Sequence, residues 1–140
     1  MLQNFESLVL IWLGIGFITF ITLLKIPAPY GKFSKTNWGP MIPSKLGWIV
    51  MEIISPLALL YFFLNGNIEK TPTNITFISL WTLHYFNRSV IYPLRQNNPA
   101  QMPLIIAVLA FLFNVMNGYI NGTYFGSIQE YSAEYMSNWN

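Results

Sequence analysis

Four side chains that could bind or polarise a ligand lie within ten residues of an otherwise apolar stretch, LHYFNRSVIY (Leu83–Tyr92). On a helix, Tyr85, Arg88 and Tyr92 follow at i, i+3 and i+7 and share one face, with His84 at its edge. A charged side chain at bilayer depth costs at least about 3 kcal/mol. This face is therefore expected to point toward protein, water or a ligand.

A second charged residue, Glu52, lies in the apolar segment GWIVMEIISPLALL, four residues after Trp48. An acid inside a membrane segment is either a structural partner of a cation, here Arg88, or part of a functional site. The two interpretations overlap, because a paired carboxylate can also help to hold a catalytic tyrosine. Tyr85 is the candidate, since its neutral hydroxyl donates a hydrogen bond at physiological pH.

The elements that must position these residues are predicted from composition. Hydrophobic residues make up 54% of the 140-residue chain and charged residues 9%, against about 25% charged residues in soluble domains. A membrane span needs about 20 residues. We therefore predict an all-α, polytopic membrane bundle, one transmembrane domain over residues 1–140, with about four spans: Leu8–Leu24, Leu46–Leu64, Ile75–Tyr92 and Leu104–Ile120.

Several classes of function are excluded by the residues that the chain contains. It has no cysteine and one histidine, and no carboxylate motif replaces them, so no metal site is expected. A net charge of +2 without a run of basic residues and aromatics argues against nucleic acid. No glycine-rich phosphate loop is found, so a bound nucleotide would have to be held in another way.

Basic residues predict the orientation in the membrane. The first and third connections carry five of them, whereas the second connection carries only Lys70. The positive-inside rule then places the N-terminus outside or in the lumen. An integral protein of a bacterial inner membrane or of the endoplasmic reticulum fits equally well.

The first connection, Lys25–Lys45, is rich in proline and glycine, so no long helix is expected there. It is either a surface loop with an aromatic anchor or a loop folded over the mouth of a site. In the second case Tyr30 and Gly31 would form a tight turn against a ligand.

Small residues and amides complete the predicted bundle. Gly14 and Gly16 are expected to let a neighbouring helix approach closely. Asn114, Asn117 and Asn121 follow at i, i+3 and i+7 and form one amide-lined stripe. Such a stripe either joins helices through hydrogen bonds or binds a ligand.

These motifs, taken in order, resemble the steroid 5-alpha-reductase (3-oxo-5-alpha-steroid 4-dehydrogenase) family. Each motif alone is weak, but the ordered set covers about residues 27–139: PYGK from Pro29, LGW with Glu52, LHYFNR with Tyr92, MP at Met102, F-x-x-x-NG from Phe113, NG-x-Y from Asn121 and AEY from Ala133.

The resemblance implies an enzyme that reduces the C=C bond of a 3-oxo-4-ene steroid or similar lipid enone with NADPH. In the family a Glu and a Tyr grip the ketone oxygen, and those positions match Glu52 and Tyr85, the predicted catalytic residues. Trp48 and Phe113 match positions that line the substrate cavity. Residues assigned to the cofactor side are Arg88, Tyr92, Asn117, Tyr30 and Gly31.

Two further expectations follow from the resemblance. The family is about twice as long, with seven spans, so this chain looks like its N-terminal half and would need a C-terminal half as a partner to hold NADPH tightly. The family's Gln before the catalytic Glu is Met51 here, which leaves the substrate open. An enoyl-thioester lipid reductase is therefore an alternative, and so is a non-catalytic scaffold or lipid-binding subunit in a membrane.

Overall fold

A computed structural model describes residues 2–97 and 100–136, and the predicted all-α membrane bundle is confirmed. The chain forms α1 (Leu2–Lys25), β1 (Met41–Pro43), α2 (Ser44–Leu64), α3 (Pro72–Phe86), α4 (Tyr92–Arg95), β2 (Gln101–Pro103) and α5 (Leu104–Thr123). Short 3-10 turns lie at Gly31–Phe33 and Thr36–Trp38, and π-helical turns at Asn87–Ile91 and Tyr124–Ile128.

Three helices within the described ranges are long and apolar enough to cross a membrane: Gln3–Lys25, Ser44–Leu64 and Leu104–Ile128. The predicted span Ile75–Tyr92 is also helical, because α3, a π turn and α4 follow one another without a break from Pro72 to Arg95. Its polar side chains, however, lower the mean hydropathy of this fourth helix. Three of the four predicted spans are therefore long and apolar enough to cross a membrane.

The helix that carries Tyr85 and Arg88 has a defined start. Pro72 occupies the first turn, where its missing N–H is not needed. The side chain of Thr71 accepts a hydrogen bond from the backbone N–H of Asn74 at 3.4 Å and so caps the helix. This helix runs antiparallel to α2, since Trp81 bonds to Ser55 and Arg88 to Glu52.

A two-stranded ribbon joins the first and third connections. β1 pairs antiparallel with β2, with Ile42 opposite Met102. Each strand leads directly into a helix, so the pairing fixes the starts of α2 and α5 at one end of the bundle. Both basic connections therefore lie at that end, and the orientation of this end relative to the membrane stays a prediction.

The centre of the fold is the parallel pair α2 and α5. Gly118, Gly122 and Gly126, four residues apart, lie against the α2 backbone. A Cβ atom on Gly118 would lie 2.6 Å from the carbonyl oxygen of Ser55, and one on Gly122 would lie 2.6 Å from that of Leu59. Because only glycine permits this approach, the stripe sets the distance between the two helices.

The expectation for Gly14 and Gly16 was wrong. In the described part of the chain, nothing lies within 4 Å of the position that a Cβ atom would take at either residue. The physical reason is that α1 has no buried residue between Gln3 and Lys25. Trp12 of α1 stacks on Phe113 of α5, with the ring centroids 5.5 Å apart.

The packing of the glycine stripe predicts that one added methyl group lowers stability on α5 but not on α1. We expect Gly118→Ala to lower the free energy of unfolding by about 1–3 kcal/mol, because the methyl group overlaps the α2 backbone. Gly14→Ala is the matched control and should be neutral or stabilising by less than about 1 kcal/mol. Thermal unfolding in lipid nanodiscs, followed by circular dichroism, measures both; equal effects would contradict this packing.

Candidate functional site

The site begins with an ion pair between two helices. An oxygen of the Glu52 carboxylate on α2 lies 2.6 Å from Nη2 of Arg88. Glu52 is buried, with 5% of its surface exposed, so its charge needs a partner close by. The Arg88 side chain is 40% exposed, so the cation of the pair is less enclosed than the acid.

A π-helical turn, Asn87–Ile91, carries Arg88. Such a turn holds one residue more than an α-helical turn and often occurs at functional sites. Its C-terminal boundary is followed by Tyr92 and Pro93, and Pro93 lacks the backbone N–H that a regular helix would use. The turn changes the spacing between Tyr85 and Tyr92 from that of a regular helix.

Aromatic rings surround the guanidinium. Arg88 lies over the Trp48 ring at 5.0 Å, within the range of a cation–π contact. The edge of Trp48 meets Tyr92 at 5.1 Å and Tyr30 at 6.3 Å. Trp48 thus connects the ion pair on one side with two exposed tyrosines on the other.

These tyrosines open onto a cavity of about 290 Å³. Gly31 lies on its wall with φ of +57°, a left-handed conformation that favours glycine, and the predicted tight turn at Tyr30 and Gly31 is present. The cavity is lined by Tyr30, Gly31, Ser44, Trp48, Tyr92, Gln96, Asn97, Ala100, Gln101 and Met102. One predicted substrate residue and three predicted cofactor residues therefore share one wall.

Tyr85 lies in a separate network of amides. Its hydroxyl donates to Oδ1 of Asn114 at 3.2 Å and accepts from Nδ2 of Asn117 at 3.3 Å. Nδ2 of Asn114 also donates to the backbone carbonyl of Met51 at 2.6 Å. One carboxamide therefore links the Tyr85 hydroxyl with the residue that precedes Glu52.

Ring contacts hold Tyr85 from the sides. The Trp81 ring stacks on it at 5.4 Å, and the exposed His84 ring meets its edge at 5.2 Å. Trp81 is held in turn by a hydrogen bond from its indole nitrogen to the hydroxyl of Ser55 at 3.3 Å. His84 thus contacts the tyrosine ring from the solvent- or lipid-exposed face of α3.

Phe113 does not join these residues. Its side chain is 48% exposed and stacks on Trp12 of α1, and it is not part of the cavity wall that Trp48 lines. A larger groove of about 510 Å³ lies between α1 and α5. It is lined mainly by apolar side chains such as Phe5, Leu8 and Tyr119, and it contains none of the predicted site residues.

Comparison with known proteins agrees with the motifs. The sequence profile of the 3-oxo-5-alpha-steroid 4-dehydrogenase family matches residues 100–140. A steroid 5-alpha-reductase DET2 of Gossypium hirsutum is 40% identical over 123 residues, which is 84% of this chain and 46% of that protein. The chain is a relative of the steroid 5-alpha-reductases. The resemblance predicted from the sequence is confirmed.

Two further steroid-reductase relatives show how far the similarity extends. The steroid 5-alpha-reductase DET2 of Arabidopsis thaliana is 37% identical over 86% of this chain and 48% of its own length. The 3-oxo-5-alpha-steroid 4-dehydrogenase 1 of Bos taurus is 25% identical over 95% of this chain and 53% of its own length. The chain thus spans about half the length of the curated relatives it matches.

The sequence did not predict two features of this candidate site. The π turn has no local signal that separates it from an ordinary helical turn. The sequence places Asn114 in the amide stripe without indicating its partners, and hydrogen bonds of Asn114 and Asn117 to α2 and α3 show that the stripe joins helices. Within residues 2–97 and 100–136, no three His, Asp or Glu side chains cluster as metal ligands would.

The ion pair predicts non-additive losses of stability. Arg88→Met leaves the Glu52 carboxylate buried without its partner, so we expect a loss of about 1–3 kcal/mol. The double variant Glu52→Gln/Arg88→Met should lose less than the sum of the two single variants, because neither charge then remains unpaired. Unfolding of all four proteins in nanodiscs gives the coupling energy, and additive losses would show that the pair contributes nothing.

Proposed function

We propose that the complete protein is a membrane oxidoreductase that reduces the C=C bond of a 3-oxo-4-ene steroid or similar lipid enone with NADPH. This chain supplies the ketone-binding side. The observation that supports the proposal is a pair of polar links between three helices inside an apolar bundle: Glu52 binds Arg88, and Asn114 joins the Tyr85 hydroxyl to the carbonyl of Met51, the residue before Glu52. Polar groups are costly in such a place, and they are commonly functional.

The proposed chemistry centres on the ketone oxygen. When a hydride reaches the β-carbon of an enone, negative charge develops on this oxygen as an enolate. A proton from solvent then adds to the α-carbon, which restores the ketone and completes the reduction. A fixed donor aimed at the oxygen lowers the barrier because it stabilises the charge where it forms. Tyr85 is that donor in our proposal, since its oxygen is already held by Asn117 and its ring by Trp81.

Glu52 acts through its ion pair with Arg88. An ionised carboxylate only accepts hydrogen bonds and would oppose the charge of an enolate if it stood alone. Its pairing with Arg88 offsets this negative charge, so the pair can lie next to a developing enolate. While Glu52 is ionised and paired with Arg88, Tyr85 donates to the ketone and Glu52 holds the guanidinium in place. Glu52 itself can donate a hydrogen bond only when it carries a proton.

NADPH would supply the hydride when bound. The residues of this chain fit part of it: aromatic rings of Tyr30, Trp48 and Tyr92 offer stacking surfaces, and the half-exposed Arg88 offers a charge for a phosphate. A cavity of about 290 Å³ is at the lower end of ligand pockets and takes one ring system rather than a whole dinucleotide. We propose that the remaining contacts come from a C-terminal half.

The choice between a steroid and an acyl thioester is not decided by Met51. Its side chain is buried at 5% exposure and packs with Met102 and Ala107. It is therefore a core residue here, and we retain the steroid because the relatives carry that substrate in their names.

The proposal is tested on the complete gene product in membranes, with NADPH and either a 3-oxo-4-ene steroid or an enoyl thioester. We expect steroid-dependent NADPH consumption. Tyr85→Phe should lower kcat/KM by about 10²–10³-fold, and Glu52→Gln by about tenfold, because the Arg88 guanidinium loses its charged partner. Tyr61→Phe, at an exposed tyrosine on α2, is the control and should leave turnover unchanged.

Two results would contradict this assignment. Turnover within a few-fold of wild type in Tyr85→Phe would remove the proposed donor. No turnover of either substrate by folded wild-type protein would favour the scaffold alternative, in which Glu52 and Arg88 form only a structural pair.

A further inference from the structure

One exposed face of α3 has the spacing of a helix-packing surface, and no helix of the described chain covers it. Four residues at i, i+3, i+4 and i+7 form one stripe along this face: Leu80, Leu83, His84 and Asn87. The two leucines are 60% and 64% exposed, and the two polar side chains are exposed as well. These four residues are the outer α3 stripe, which ends at the first residue of the π turn.

The polar members of the outer α3 stripe lie near the middle of a long helix. The continuous helix runs from Pro72 to Arg95. At 1.5 Å per residue, His84 and Asn87 are at least about 12 Å from either end of this helix. In a bundle that spans a membrane, that position is well inside the hydrocarbon layer. A histidine at such depth normally faces protein or water, and an amide there normally bonds to another helix.

Both polar side chains have hydrogen-bonding groups without a partner. Among the residues that the structure describes, the Asn87 carboxamide makes no hydrogen bond, and neither do the ring nitrogens of His84. The His84 ring meets only the edge of the Tyr85 ring, at 5.2 Å. A carboxamide can donate two hydrogens and accept at its oxygen. Lipid cannot satisfy these groups, whereas a neighbouring helix can.

The exposed surface of α1 is built differently. Between Leu8 and Leu24 its two hydroxyl side chains, Thr19 and Thr22, each donate to the carbonyl oxygen four residues earlier in the same helix, at 2.8 Å. Such bonds satisfy the hydroxyls without a second helix. The described chain also makes α1, but not α3, apolar enough to cross a membrane. The contrast indicates lipid around α1 and protein against the outer α3 stripe.

We propose that a transmembrane helix of the C-terminal half docks on the outer α3 stripe and places an amide or hydroxyl side chain opposite Asn87. The occupant rests on the proposed function, which assigns the remaining NADPH contacts to that half. The curated relatives have about as much sequence again as the part that this chain matches, which is enough for further spans. The stripe also adjoins the candidate site, because His84 contacts Tyr85 and Asn87 precedes Arg88.

Photocrosslinking of the complete gene product in nanodiscs tests which molecule covers the stripe. A photoreactive benzoylphenylalanine is placed at Leu83 or, as the matched control, at Leu13. These leucines are 64% and 63% exposed, and each is the twelfth residue of its helix. Position 83 should crosslink to peptides of the C-terminal half several-fold more than position 13, which should give lipid adducts. Because the docked helix belongs to the same polypeptide, the product should keep the mass of a monomer on a denaturing gel.

Asn87→Leu gives opposite signs for the two possible surroundings. In lipid, the leucine is better solvated than the amide, so the complete protein would gain stability. Against a docked helix, a hydrogen bond is lost, and we expect the temperature of unfolding in nanodiscs to fall by a few degrees. Thr19→Val is the matched control, because the Thr19 hydroxyl bonds only within α1. It should leave the temperature of unfolding unchanged or raise it.

The docking surface and the proposed function fail in different ways. Lipid adducts alone at position 83, a crosslinked product heavier than a monomer, or a higher temperature of unfolding in Asn87→Leu would overturn the docking surface. The heavier product would show that a second copy or another protein covers the stripe. Steroid-dependent NADPH consumption in the same sample would leave the proposed function intact. Monomeric crosslinks in a protein that turns over neither substrate would instead support the docking surface and contradict the proposed function.

Discussion

The carboxylate of Glu52 has to be neutralised inside an apolar bundle, and the site is arranged around that requirement. Its partner, Arg88, comes from the neighbouring helix at 2.6 Å. The guanidinium in turn rests on Trp48, and Trp48 forms a wall of the aromatic cavity with Tyr30 and Tyr92. The ion pair of one buried acid is thus linked, through Trp48, to the two tyrosines of the cavity.

The close approach of α2 and α5 supports the part of the site that contains Tyr85. Gly118 and Gly122 let the two backbones meet, and this distance allows Asn114 to reach the Met51 carbonyl. The hydroxyl of Tyr85 is held at the point where the three helices converge. Packing and hydrogen bonding are therefore parts of one arrangement, and loosening the helices would also misplace the hydroxyl.

The sequence predicted the residues of this arrangement better than their contacts. Glu52 and Arg88 stood out because charge is rare in apolar segments, and their pairing could be anticipated. Phe113 matched a family position but lies on the α1 side, because helical phase and not motif membership decides where a side chain points. Gly14 and Gly16 resembled a packing motif, yet the stripe that packs is on α5, since a glycine pattern does not reveal its partner.

The most direct test of a ketone site compares the affinities of two ligands: a 3-oxo-4-ene steroid and its 3-deoxy analogue, measured on the complete protein in nanodiscs. A site that hydrogen-bonds the ketone should bind the oxo steroid about tenfold more tightly, the size expected for one added hydrogen bond. Tyr85→Phe should remove most of this preference. Equal affinities for the two steroids would contradict a ketone site at Glu52 and Tyr85.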